Sequence, residues 1–233
     1  MIPISDENPT RLRPFVNWAL IAACIFVFFW QLSFEGEDAE AMIFRLGFVP
    51  ENFFGAGTQA PIMGLPWAWL TLFTSMFLHG GFLHLGGNML YLWIFGNNVE
   101  DAMGHGRYLL FYLASGVGAA LAQGLVEPHL AVPMVGASGA ISGVLAGYVM
   151  VYPRARVTVI IPLGILLYPV KISAFYVVGF WFLLQVLNAS AITTGEPNTA
   201  WFAHVGGFVA GIALTPLLSQ FPLFGRIRRG PWG

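Results

Sequence analysis

Six apolar runs of 15 to 21 residues recur along this chain, at about residues 15–32, 81–95, 107–126, 135–152, 170–189 and 199–219. A helix needs about 20 mostly apolar residues to cross a bilayer. Inside hydrocarbon each backbone N–H and C=O must find its partner within the protein, a demand that a helix meets by itself. The runs therefore read as spanning helices, and the chain as an all-α polytopic membrane protein, residues 1–233 forming a single membrane domain. Composition agrees: 9% of the residues are charged and the mean hydropathy is +0.73, whereas a soluble domain carries roughly 25% charged residues. A net charge of −1 gives no footprint for nucleic acid. Cys24 is the only cysteine, so an intrachain disulfide and a Cys-rich metal site are excluded. The first run lacks a basic region starting at Met1 and a convincing cleavage site, and is read as a retained helix. The second is short unless Leu78-His79-Gly80 adds a turn.

Between the fourth and fifth runs lies Val157 to Tyr168, apolar but broken by Pro162 and Gly164. It is too short to cross, and reads as an interfacial or re-entrant hairpin packed against protein. Charge then orients the bundle. Arg11, Arg13, Arg107, Arg154, Arg156, Lys171, Arg226, Arg228 and Arg229 fall on one side of a six-span arrangement, and Arg45 on the other. That asymmetry predicts cytoplasmic N- and C-terminal tails, both short. A long outer loop, roughly Glu35 to Phe77, joins the first two spans. It is acidic at first and then rich in Gly, Pro, Phe and Trp, including Phe53, Phe54, Gly55, Pro61, Pro66, Trp67 and Trp69. Trp at that level suits an interfacial anchor; the sharper reading is a structured loop that shapes access from the lipid side.

The chemistry lies at the heads of two runs. Gly136-Ala137-Ser138-Gly139 opens the fourth and Ala203-His204 opens the sixth. A polar or ionisable side chain within a span is a functional candidate by default. Gly139, Gly143 and Gly147 recur every fourth residue, as do Ala203, Gly207 and Gly211, and such stripes let two backbones approach closely. Both helices run outside to inside in the six-span order, so packing the stripes brings Ser138 and His204 to similar depth, each a few residues below its helix start. A serine hydroxyl needs a base to become a nucleophile, and imidazole supplies one near neutral pH. Acyl transfer also needs donors for the developing oxyanion. His84 and Asn88, four apart on the second run, share a helical face and offer them, with the Ser138 amide left uncovered by Gly136 and Gly139. Ser142 reads as a hydrogen bond to backbone or a neighbour, and His79 as interfacial. A metal site from His79, His84 and His204 lacks the carboxylate of a membrane zinc protease, so neither metal nor cofactor is expected.

These segments together resemble the rhomboid family of intramembrane serine proteases. The matching residues are Phe73 to Asn88, Gly96 with Val99-Glu100, Gly136-Ala137-Ser138-Gly139, Trp181-Phe182 with Gln185, and Ala203-His204-Val205-Gly206-Gly207. The resemblance implies a six-transmembrane-helix bundle, Ser138 as nucleophile, His204 as base, His84 and Asn88 on the oxyanion side, and Glu100 with Arg107 in a structural role. It also implies lateral entry of substrate, with Trp181 and Phe182 as gate residues. Two departures stand out: Trp69-Leu70-Thr71 lacks an arginine often found in the outer loop, and Ser142 stands where some members stack an aromatic on the histidine. The expected activity is hydrolysis of single-pass membrane protein substrates near the outer interface, favoured where Gly, Pro or other small residues weaken the helix. A transporter lined by Ser138, His84, Asn88 and His204, and a noncatalytic binder of client helices, stand as alternatives. The short tail and single domain lead to the expectation of a prokaryotic cytoplasmic membrane.

Overall fold

The structure is a computed structural model that describes residues 2–54, 68–163, 166–191 and 200–224. Helices follow the apolar runs, but their ends are set by local chemistry. α1 spans Phe15–Gln31. The segment after it is largely helical where described: α2 (Gly36–Leu46), α3 (Pro50–Phe54) and α4 (Thr71–Thr74), the last between two 3-10 turns. The long outer loop is thus built of short helices in these stretches. Expectations for Gly55 to Trp67, Gly164, Glu196, Thr199 and Arg226 to Arg229 fall outside the described residues.

The second run departs from its expected limits of 81–95. It gains no turn from Leu78-His79-Gly80; instead α5 (Phe82–Tyr91) passes through a π-helical turn (Leu92–Gly96) into α6 (Asn97–Met103). The Asn17 amide donates to the Leu92 carbonyl (3.0 Å), a side chain entering the backbone ladder of the kind that accompanies a widened turn. α7 (His105–Val126), α8 (Ser138–Val151), α9 (Ala174–Ala191) and α10 (Trp201–Leu218) complete the helices. By length and composition α7 and α10 can cross a membrane, while α1, α8 and α9 are shorter apolar helices. Large apolar side chains stand on the outside, among them Leu83 at 94% and Phe26 at 74% exposure. An apolar exterior of this extent is the surface offered to lipid.

The all-α expectation needs one correction: a three-stranded antiparallel sheet. β2 (Arg156–Leu163) and β3 (Leu166–Ser173) form the expected hairpin, paired from Arg156↔Ser173 to Leu163↔Leu166. β1 (Ile2–Asp6), expected as part of a tail, adds along β2 from Ile2↔Ile160 to Asp6↔Val157. β-branched residues favour the pleated conformation, and Val157 and Val159 turn one face of β2 fully into the hydrophobic core. A hairpin alone is marginal, and a third strand with a buried face stabilises it. Because β3 runs to Ser173, α9 begins at Ala174 rather than at 170.

Buried and half-buried carboxylates tie the chain's start to the bundle. The Asp6 carboxylate accepts from the Tyr148 hydroxyl (2.6 Å) and the Asn98 amide (2.9 Å). Asp101 receives the N–H groups of Arg11 and Leu12. Fully buried Glu100 receives those of Val16 and Asn17 at the head of α1, where helix amides lack internal partners, and also meets the His105 ring. Arg107 is exposed, and among the described contacts none joins it to Glu100. Burial pushes the Asp6 carboxyl up to about 6, against the opposing pull of its two donors.

α8 and α10 pack backbone to backbone, with α7 against both. A Cβ on Gly211 would sit 2.5 Å from the Gly143 carbonyl oxygen, and one on Gly207 would overlap the Gly139 carbonyl. A Cβ on Gly139 would lie 2.5 Å from Ala119 of α7. Gly211→Val is expected to destabilise the fold by about 1–3 kcal/mol through overpacking, read as a lower unfolding temperature in detergent. Asp6 carries a second expectation. Its folded pKa lies above the unfolded value, so its contribution to stability is full below about pH 4 and lost as pH rises through about 6. Thermal midpoints measured across that window should fall in the wild type and flatten in Asp6→Asn.

Candidate active site

Ser138 is the first residue of α8, rather than a few residues inside it. The chain leading to it is pinned by main-chain bonds. Phe48 and Met134 exchange both of their N–H···O bonds (3.0 and 2.8 Å), and the Gly136 N–H donates to the Ser75 carbonyl (2.9 Å). Two pieces of the segment between α1 and α5 therefore hold the approach to the serine. Gly136 takes φ 125°, a region that L side chains avoid.

His204 is in the first turn of α10. Its Nε2 lies 2.8 Å from Ser138 Oγ, and its Nδ1 lies 2.7 Å from Gln185 Oε1 of α9. The Gln185 amide nitrogen donates to the Trp181 carbonyl one turn earlier (3.3 Å). The rings of Trp181 and Trp201 stand 6.1 and 6.0 Å from the imidazole. The head of α10 is secured from α7, where Gln123 Oε1 accepts the Ala203 N–H (3.0 Å) and the Gln123 amide donates to Glu127.

His84 and Asn88 reach the same place from α5. The Gly80 N–H donates to His84 Nδ1 (3.3 Å), which puts the proton of a neutral ring on Nε2. A Cβ on Gly136 would lie 2.8 Å from His84 Nε2 and 3.6 Å from Asn88 Nδ2. Asn88 Nδ2 is buried with no partner among the described residues. Two donors thus converge beside the backbone that precedes Ser138. A cleft of about 850 Å³ opens onto Ser138, His204, His84, Asn88, Trp181 and Gln185.

The other polar side chains are engaged elsewhere. Ser142 donates to the Ser138 carbonyl (2.7 Å). His79 is buried: Gln31 clamps its main chain, accepting the His79 N–H and donating to its carbonyl (2.9 and 3.2 Å), while its ring meets the Phe77 carbonyl through Nδ1 (3.2 Å) and stands 5.2 Å from the His84 ring. Trp181 lines the cleft, but Phe182 stacks on Phe208 of α10 (4.1 Å) and lies outside the lining. The structure therefore separates the two residues expected as a gate. Gln185 and Gln123 are the contacts that the sequence reading left without a role. The signal for Gln185 was an amide side chain within an apolar run.

Fold and site define a helical membrane protein in which a serine and an imidazole meet at the heads of two glycine-packed helices. The chain belongs to the rhomboid family: the Rhomboid domain family model matches residues 66–221. It is 33% identical to Rhomboid-like protein 11, chloroplastic, of Arabidopsis thaliana over 165 residues, covering 66% of this chain and 54% of that protein. It is 33% identical to Rhomboid protease GluP of Bacillus subtilis over 199 residues, covering 85% of this chain and 34% of that protein. With Rhomboid protein 1, mitochondrial, of Saccharomyces cerevisiae the identity is 31% over 149 residues, 61% of this chain and 40% of that protein. The chain thus spans 34 to 54% of the length of these relatives. Membership makes it an integral membrane protein. Chloroplastic and mitochondrial relatives beside a bacterial one leave the expected prokaryotic membrane without support from the likeness.

Gly136→Ala is expected to destabilise the protein by about 1–3 kcal/mol, because a positive φ strains an L residue and its methyl meets the His84 ring. Gly86→Ala is the contrast, since nothing lies within 4 Å of the Cβ it would gain. Thermal unfolding of the two variants in detergent checks the difference in sign and size.

Proposed function

We propose that this chain is an intramembrane serine endopeptidase that cleaves transmembrane substrate helices near the outer membrane interface. The observation that carries this reading is the 2.8 Å approach of His204 Nε2 to Ser138 Oγ, within a cleft that also holds the His84 and Asn88 donors. The relative from Bacillus subtilis is named a rhomboid protease, and one from Emericella nidulans a rhomboid-type serine protease.

In this reading six spans are formed by α1, α5 with α6, α7, α8, α9 and α10. The N- and C-terminal tails face the cytoplasm, as the placement of Arg11, Arg13, Arg154, Arg156 and Lys171 at one end favours. Ser138 and His204 then lie toward the outer side, at the heads of two parallel helices. His204 Nε2 takes the Ser138 proton as Oγ bonds to the scissile carbonyl carbon. His84 Nε2–H, Asn88 Nδ2–H and the Ser138 N–H stabilise the oxyanion. Collapse of that intermediate breaks the C–N bond, and His204 passes its proton to the leaving amine. Water enters through the cleft and hydrolyses the acyl-enzyme by the same proton exchange. A helical amide is shielded by its own hydrogen bond, so single-pass substrates weakened by Gly or Pro near the outer face are preferred. Trp181, on the cleft lining, is the gate residue in this scheme; Gly139, Gly143, Gly207 and Gly211 hold the two catalytic helices together.

The test is cleavage of a helical reporter by the full chain in liposomes, together with labelling by a fluorophosphonate. Ser138→Ala and His204→Ala are each expected to abolish both signals, while Asn88→Ala lowers turnover by roughly 100-fold as one oxyanion donor is removed. Cleavage that persists in Ser138→Ala overturns the reading. An intact wild type that binds reporter without cutting it points instead to a noncatalytic binder of client helices.

A further inference from the structure

We infer that Gln185 is the positioning residue of the Ser138–His204 pair, its amide holding His204 in the tautomer that leaves Nε2 free for the serine proton. This rests on the nucleophile and base assignment above. A neutral imidazole has one donor and one acceptor nitrogen, and its second hydrogen bond decides which is which. Gln185 Oε1 lies 2.7 Å from Nδ1. The opposite amide orientation would turn Oε1 toward the Trp181 carbonyl, at the 3.3 Å now bridged by an N–H donor, and would set two acceptors against each other. The Trp181 carbonyl therefore orients the amide, and the amide puts the proton on Nδ1. The lone pair of Nε2 then faces Ser138 Oγ. With the opposite tautomer the ring would offer Ser138 a donor and could not act as its base.

The position suits this work. Gln185 is 7% exposed, so water competes poorly for its oxygen. Its neighbours on the ring are the indoles of Trp181 and Trp201, which pack on the imidazole but offer no acceptor to Nδ1. Ser142 is turned onto its own helix and cannot substitute. A neutral amide also differs from a carboxylate in a useful way. It selects the tautomer without adding a charge that would need desolvating in an apolar bundle. Because Gln185 belongs to α9 and His204 to α10, displacement of α9 from α10 would release the base as well as open the cleft.

The experiment compares wild type, Gln185→Leu and Gln185→Glu in liposomes, measuring kcat and KM for a helical reporter and the pH dependence of kcat. The other titratable groups on this cleft are His84 and Tyr91 from α5 and Glu127 from the end of α7, and all three are unchanged in the variants. Gln185→Leu is expected to lower kcat by about tenfold or more, within the range that a positioned base contributes, with KM little altered. Gln185→Glu is expected to retain activity and move the acidic limb of the profile to higher pH, since a carboxylate at Nδ1 favours the imidazolium. Wild-type kcat in Gln185→Leu, or an unshifted limb in Gln185→Glu, overturns the inference. Should Gln185→Leu fail to fold, the limb of Gln185→Glu decides alone. Ser138→Ala and His204→Ala are run beside them: cleavage persisting there defeats the dyad itself, whereas inactive dyad variants beside an unaffected Gln185→Leu defeat only the role of Gln185.

Discussion

The contact on which the site depends is one between main chains. Gly207 lies against the Gly139 carbonyl and Gly211 against the Gly143 carbonyl, so α8 and α10 meet with no side chain between them. An ordinary helix pair packs at 8–10 Å, with side chains between the backbones. Here the approach is close enough for a 2.8 Å bond. α7 supports the pair from behind through Ala119 and Ser115, and holds the head of α10 through Gln123. Close packing without a hydrophobic driving force between helices is what small residues provide in a membrane.

Much of this was legible in the sequence. The apolar runs marked where α1, α5, α7, α8, α9 and α10 lie, and the four-residue glycine spacing pointed to the packing of α8 on α10. The polar residues stranded in those runs marked the site, because a membrane tolerates few of them. The missing parts share a physical cause: they depend on partners distant in the chain. β1 reads as an ordinary short polar lead, and becomes a strand only because β2, more than 150 residues later, presents an open edge. Glu100 was read only as structural; that its lone pairs are filled by backbone amides of α1 depends on a helix more than 80 residues away in the chain. Gln185 could be seen as an anomaly in an apolar run; that its oxygen faces Nδ1 follows from the crossing of α9 and α10, which no local pattern encodes. The start of α8 at Ser138 was likewise hidden, since the extended approach is fixed by Phe48 and Ser75.

The two ends of the bundle solve different problems with polar groups. Near Ser138 donors are left unmet: His84 Nε2–H and Asn88 Nδ2 converge beside Gly136, and Asn88 Nδ2 has no partner among the described residues. At the far end the carboxylates are consumed. Asp6, Glu100 and Asp101 are each filled by donors from elsewhere in the chain. A satisfied network rigidifies its surroundings, whereas an unsatisfied donor in low dielectric is a strong attractor for developing charge. Rigidity at one end and unmet hydrogen-bonding capacity at the other are consistent with the oxyanion role proposed for His84 and Asn88.

The π-helical turn at Leu92–Gly96 divides these two ends along a single helical rod. Such a turn accommodates about one residue more than a regular helix over the same path. Counting through it at 3.6 residues per turn misplaces everything beyond by about 100°. His84 and Asn88 therefore keep one angular frame and Asn98 and Glu100 another, with the Asn17 amide marking the seam. The extra residue acts as a phase adjuster between the rod's chemical half and its anchoring half. A one-residue deletion within that turn would restore a regular helix while leaving both halves facing their present neighbours, so chains of this kind can differ in length there without re-aiming either end.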